Sequence, residues 1–181
     1  MTDRPRSASR SRPPAEIAIE LAEPCPRWRA ALARRRALCI AAVQAAIALA
    51  KPRLKRKAEV SLVLADDALV RRLNRQWRRI DAPTDVLSFA AEEQAPAPQA
   101  PFLLGDVILA FETVSEAAEQ QGKPLADHLR HLVVHGVLHL LGYDHQRPDE
   151  AEEMEALETR VLARLGVADP YAAERQAAGH G

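Results

Sequence analysis

Hydrophobic and polar positions along the chain follow two periods, and the switches between them mark out the elements. Over Ile17–Leu21 apolar residues alternate with small or charged ones, as in a strand with one buried face. From Arg27 to Ala50 the chain is rich in Ala, Leu and Arg and lacks Gly and Pro, which predicts a single helix stopped by Pro52. Val60–Leu64 (VSLVL) has the apolar, β-branched content of a strand. Asp66 then caps a helix reaching about Trp77, with Leu69, Leu73 and Trp77 four apart on one face. RRIDAPT reads as a loop, DVLSFA as a strand, and LGDVILAF (Leu104–Phe111) as another. Thr113–Gln121 reads as a helix closed by Gly122, and a further helix starts near Pro124 or Leu125 and ends at Gly142. In a last helix, Asp149–Leu165, the residues Met154, Leu157, Val161 and Leu165 share one inward face. The fold class this predicts is α+β: a single domain with one mixed, roughly four-stranded sheet packed by about five helices. Only strands joined by long crossovers can run parallel, so one antiparallel edge strand is expected.

Composition adds the boundaries. A chain of 181 residues fits one domain with a substantial core. Residues 1–14 read as a disordered basic tail, 15–167 as the domain, and 168–181, rich in Ala and Gly, as a flexible end. Lys51–Lys57 (KPRLKRK) reads as a basic loop, and AEEQAPAPQAP, with its Pro and Ala, as an exposed insertion. There is no apolar run of spanning length and no secretory signal, so a cytoplasmic protein without a membrane partner is expected. Cys25 and Cys39 do not fall at zinc-finger spacing. Cys39 reads as a small buried hydrophobe, and a disulfide is not expected in that compartment.

Charge changes the picture more. The net charge is zero, yet residues 1–79 hold 19 Lys/Arg against 7 Asp/Glu, while residues 80–181 hold 6 against 18. A split of +12 and −12 suggests a basic surface for a polyanion, although any one cluster taken alone is simply a solvated helix face. Aromatic residues make up only 4% of the chain, so contacts to any nucleic acid would be to phosphates more than to stacked bases.

The strongest chemical signal is His135–His145, HGVLHLLGYDH. On a helix His135 and His139 are one turn apart on the same face and can converge on one ion. Gly142 can adopt the left-handed conformation that ends a helix and turns the chain, bringing His145 to the same point. Three nitrogen ligands leave a fourth position open, as a catalytic zinc site requires, with the site at the end of a central helix. A His pair at this spacing arises by chance in long helices; three with a glycine at the turn are much rarer. The metzincin proteases share the spacing in HExxHxxGxxH, where Glu is the general base. Here that position is Gly136, which cannot carry protons.

HGVLHLLGYDH, with LNRQWRRIDAPTDVLSF (Leu73–Phe89) and LGD (Leu104–Asp106), resembles the bacterial YbeY family. The resemblance covers roughly Ile17–Gly166, with three separated signatures in the right order, and the family also has a mixed sheet. It implies a zinc-dependent, single-strand-specific endoribonuclease in ribosomal RNA maturation (small-subunit 3′ end processing) and ribosome quality control. It implies ribosomal RNA and the ribosome as partners, one zinc ion held by His135, His139 and His145, and a functional role for Arg78. The insertion around Ala95–Pro101 and the basic N-terminus depart from the family without touching these residues.

An ion on three imidazoles would acidify a bound water to a pKa of about 7 and polarise a phosphoryl oxygen. With Gly136 unable to act, the proton-handling candidates are His131, one turn before His135, and Asp144, beside the last ligand. Asp144 is also a candidate to orient a ligand imidazole, and His131 can equally be a core histidine. Arg78 offers a planar fork to a phosphate. Thr84, Asp85 and Ser88 either shape the cleft or serve the turn and strand they sit in. Two other readings stand beside the nuclease: a metzincin-like metalloprotease, and a non-enzymatic ribosome-assembly factor with structural zinc.

Overall fold

The computed structural model describes residues 17–50, 57–91, 102–172 and 175. The expected basic tail, most of the basic loop and most of the Pro/Ala insertion lie outside them. Along the chain run β1 (Ile17–Ala22), α1 (Arg27–Ala31), α2 (Arg35–Ala50), β2 (Ala58–Ala65), α3 (Asp67–Arg78) and β3 (Val86–Ala90). There follow β4 (Phe102–Ala110), α4 (Phe111–Gln120), α5 (Leu125–Leu140) and α6 (Pro148–Arg164).

The four strands form one mixed sheet in the order β1-β2-β4-β3. β1, β2 and β4 are parallel, joined by helical crossovers, and β3 is the antiparallel edge, with Ser88 opposite Val107. On one sheet face Val60, Leu62, Leu64, Val107 and Leu109 meet apolar residues of α2, α5 and α6 in the main core. On the other, a smaller cluster of Val70, Leu87 and Ile108 lies under α3. α5 is buried on most of its circumference, from His128 and Leu129 to Leu138 and Leu140, as a helix enclosed between a sheet and three other helices must be.

Two expectations are corrected. The single helix over 27–50 is broken at Leu32, which is extended (φ −133°, ψ 94°), giving six helices. Trp28 is the cause. Its side chain is 0% exposed, packs edge-on against Phe111 at 5.1 Å between ring centroids, and donates from Nε1 to the Ala65 carbonyl at 2.9 Å. That anchors α1 beside the end of β2, whereas α2 must lie along α5 to bury Cys39, Ala42, Val43 and Ala46. One straight helix cannot serve both directions, and no Gly or Pro marks the break.

The second correction is Trp77, expected on the buried face with Leu69 and Leu73. It is 63% exposed, and α3 buries Val70 and Asn74 instead. Steps of four residues advance about 40° beyond a full turn each time, so a stripe two steps long rotates off its face. The Trp77 ring ends against Phe89 at 6.1 Å, at the β3 edge. Asp66 caps α3 as expected, accepting from the Leu69 amide at 2.8 Å.

Candidate metal centre

α5 ends in a hydrogen-bonded reversal that builds the site. Gly142 has φ +90°, a conformation L side chains rarely adopt; its amide donates to the His139 carbonyl at 3.0 Å, and the Tyr143 amide to the Leu138 carbonyl at 3.1 Å. This pair of bonds closes the helix and folds the next residues back over its last turn. His145 thereby returns to within 5.5 Å of the His135 ring and 5.0 Å of the His139 ring, centroid to centroid. One nitrogen from each of His135, His139 and His145 lies within 4.8 Å of the others.

The hydrogen bonds decide which nitrogen each helical imidazole presents. His139 Nδ1 lies 2.9 Å from the Tyr143 carbonyl oxygen, which only accepts, so Nδ1 carries the proton. His135 Nδ1 donates to Glu158 Oε1 at 2.8 Å. In neutral rings both Nε2 atoms are then lone-pair acceptors, and they face each other at 3.0 Å. Two acceptors so placed repel unless a cation lies between them. Two nitrogens on one tetrahedral zinc stand about 3.3 Å apart, for bonds of roughly 2.0–2.1 Å. The residues fit a metal ion. Burial, with the charges of His135 and His145 next, lowers the His139 pKa, which favours the neutral form that a ligand needs.

Glu158, on the inward face of α6, is the partner that sequence reasoning missed. It is 0% exposed. Burial alone would raise its pKa, but the neighbouring His131 and His135, the charge on His135 and the Tyr171 hydroxyl hold it at about 2, so it is ionised. The available signal was an acid beside Leu157 on the face that also carries Met154 and Val161.

Asp144, expected as a possible partner for a ligand ring, has its Oδ1 on the His145 backbone amide at 2.8 Å; it shapes the turn instead. His131 stands behind Glu158, with Nε2 3.7 Å from Oε2, too long for a hydrogen bond, and its ring edge-on to Tyr171 at 5.9 Å. It does not line the cleft in front of the three clustered histidines. The stretch from residue 168, expected as a flexible end, packs at least through Tyr171. Asp169 accepts from the Tyr171 amide at 3.0 Å, and the Tyr171 hydroxyl donates to Glu158 Oε2.

The cleft itself is open, about 590 Å³, and its walls include the three histidines, Asp144 and Tyr143. Arg78, at the end of α3, Asp85, just before the edge strand, and Ser88, within it, also line it. Thr84 supports the wall, donating from its hydroxyl to Asp85 Oδ1 at 3.1 Å. The next-door Gly136 faces the sheet. A Cβ there would stand 2.6 Å from Val107 Cγ1 and 3.0 Å from Ser88 Oγ. Gly136→Ala is therefore expected to destabilise the fold by about 1–3 kcal/mol, read from the midpoint of chemical denaturation. A midpoint equal to that of wild type would show that α5 is not seated this tightly.

The Endoribonuclease YbeY family model matches residues 32–166. The chain is similar to Endoribonuclease YbeY of Paramagnetospirillum magneticum, at 59% identity over 160 residues, 86% of this chain and 95% of that one. It is also similar to Endoribonuclease YbeY of Rhodopseudomonas palustris, at 47% identity over 167 residues, covering 91% and 94% of the two. A solution structure, that of TM1509 from Thermotoga maritima, matches with a TM-score of 0.47 and 24% identity over 85% of this chain and 97% of that one.

Proposed function

The chain belongs to the YbeY endoribonuclease family, and we propose that it is a zinc-dependent, single-strand-specific endoribonuclease of ribosomal RNA maturation. On this reading it processes the small-subunit 3′ end and takes part in ribosome quality control, with the ribosome as its partner in the cytoplasm. Among the described residues no helix is long and apolar enough to cross a membrane. The observation that carries the metal dependence is the pair of Nε2 lone pairs facing each other at 3.0 Å beside His145.

His135, His139 and His145 would hold the ion, which when bound supplies Lewis acidity toward a phosphoryl oxygen and acidifies water. The protein's own groups do the rest. Arg78 offers paired N–H donors to the phosphate on the opposite wall, orienting it and countering its growing negative charge. Of the two proton-handling candidates, Asp144 lines the cleft and is the better placed to exchange a proton there; His131 sits behind Glu158. The open cleft suits an unpaired strand.

The packing at Gly136 weighs against the protease alternative, because a Glu in its place has no room between Val107 and Ser88. The assembly-factor alternative needs a fourth protein ligand to close a structural site, and among the described residues the cluster holds three. The test is cleavage of single-stranded ribosomal RNA by the purified protein with its metal content measured in parallel. Zinc present with no cleavage, alone or with ribosomes, would move the reading to the assembly factor.

A further inference from the structure

We propose that Tyr171 and Glu158 form a relay that sets His135 for its metal, making the segment after α6 a working part of the centre. The inference rests on the metal reading above and adds two positioning residues to it. Tyr171 lies outside residues 32–166, the span matched by the family model.

Glu158 has two carboxylate oxygens, and each has its own task. Oε1 accepts the His135 Nδ1 proton at 2.8 Å, while Oε2 accepts the Tyr171 hydroxyl. A buried acid at this position needs a reason, since the surrounding face of α6 is Met154, Leu157, Val161 and Leu162 and an apolar side chain would pack there without desolvation cost. Its geometry supplies one. Holding the proton on Nδ1 aims the Nε2 lone pair at the metal position, and a carboxylate on the far nitrogen makes that lone pair a stronger donor. The second oxygen must also be held, or the carboxylate can rotate away. Tyr171 holds it with a neutral donor, which leaves the negative charge in place.

Tyr171 is itself braced. Its amide donates to Asp169 Oδ1, which also accepts from the Thr159 hydroxyl at 3.3 Å, and Arg175 pairs with Asp169 and lies over the Tyr171 ring at 5.7 Å. The turn after α6 is thus tied to α6 at Thr159, one residue from Glu158. An aromatic ring packed there for stability alone would not need its hydroxyl on the carboxylate that holds the His135 ring.

The test uses the full-length protein, with zinc affinity measured by competition against a chelator and the histidine ring nitrogens observed by NMR in the metal-free state. Glu158→Gln is expected to weaken zinc binding by about 10–100-fold. Tyr171→Phe removes one hydrogen bond and is expected to weaken it by about 5-fold. In wild type the His135 ring should be the Nδ1–H tautomer, and in Glu158→Gln a mixture. Should Glu158→Gln fail to fold, Tyr171→Phe and the wild-type tautomer decide. Variants that lose thermal stability but bind zinc within about twofold of wild type would overturn the relay and leave a purely structural role. A wild-type His135 in the Nε2–H form would overturn it too. Wild type taking up no zinc would overturn both the metal reading and the relay, whereas uptake with unchanged variants overturns the relay alone.

Discussion

Replacing His139 with alanine is expected to remove both the metal and the RNA cleavage. Its Nε2 is one of only three nitrogens gathered at the site, and among the described residues no other Cys, His, Asp or Glu joins the cluster to replace it. The loss should not unfold the protein. The ring is only partly buried, its Nδ1 bond goes to a backbone carbonyl in the turn that follows, and the helix end is closed by backbone bonds at Gly142 and Tyr143. A metal ion contributes several kcal/mol of charge stabilisation in phosphoryl chemistry, so cleavage should fall by roughly 1000-fold or more. Metal content and cleavage of single-stranded ribosomal RNA, measured on the same samples, decide it. A metal-free His139→Ala protein that still cuts at the wild-type rate would end the metal mechanism.

Arg78→Ala should separate binding of the metal from the reaction. Arg78 lines the cleft from the end of α3, on a different element from all three clustered histidines, so zinc content should be unchanged. Of the arginines on this helix, Arg71 is already engaged, with Nε and Nη2 donating to Asp81 at 2.8 and 3.0 Å. Arg78 instead lines the cleft where a phosphate would sit. Removing one donor aimed at developing charge costs about 100–1000-fold in turnover, which is the expected loss here. Arg78→Lys keeps a positive charge but not the planar fork and should fall between the two. Loss of one phosphate contact should also flatten the salt dependence of RNA binding by roughly one unit of slope. Arg78→Ala with full zinc and turnover within about threefold of wild type would remove Arg78 from the reaction.

Much of the site was legible because it is local. The three clustered histidines fall within eleven residues, where helix geometry and one left-handed glycine decide their meeting point. The four strands and the antiparallel edge were legible too, because periodicity marks strands and short connections limit how they can pair. Arg78 was singled out by family resemblance; five arginines on one helix and its end look alike until the fold places one of them in a cleft. The single helix over 27–50 and the buried Trp77 were misread in opposite ways. Helix propensity runs straight through Leu32, and only the burial of Trp28 breaks it; the periodic stripe included Trp77, but by its second four-residue step the helix has rotated that position off the buried face.

Local sequence therefore determined that three imidazoles converge, since helix pitch pairs His135 with His139 and the left-handed turn at Gly142 returns His145 to them. Tertiary structure alone decided which nitrogen each helical imidazole presents and what holds it. Among the acids of α6, Asp149, Glu150, Glu152, Glu153, Glu155 and Glu158, only the docking of that helix on α5 brings one within 2.8 Å of His135, across 23 residues of sequence. A hydrogen bond acts over about 3 Å and takes no account of chain distance, so its partners are settled by packing rather than by spacing.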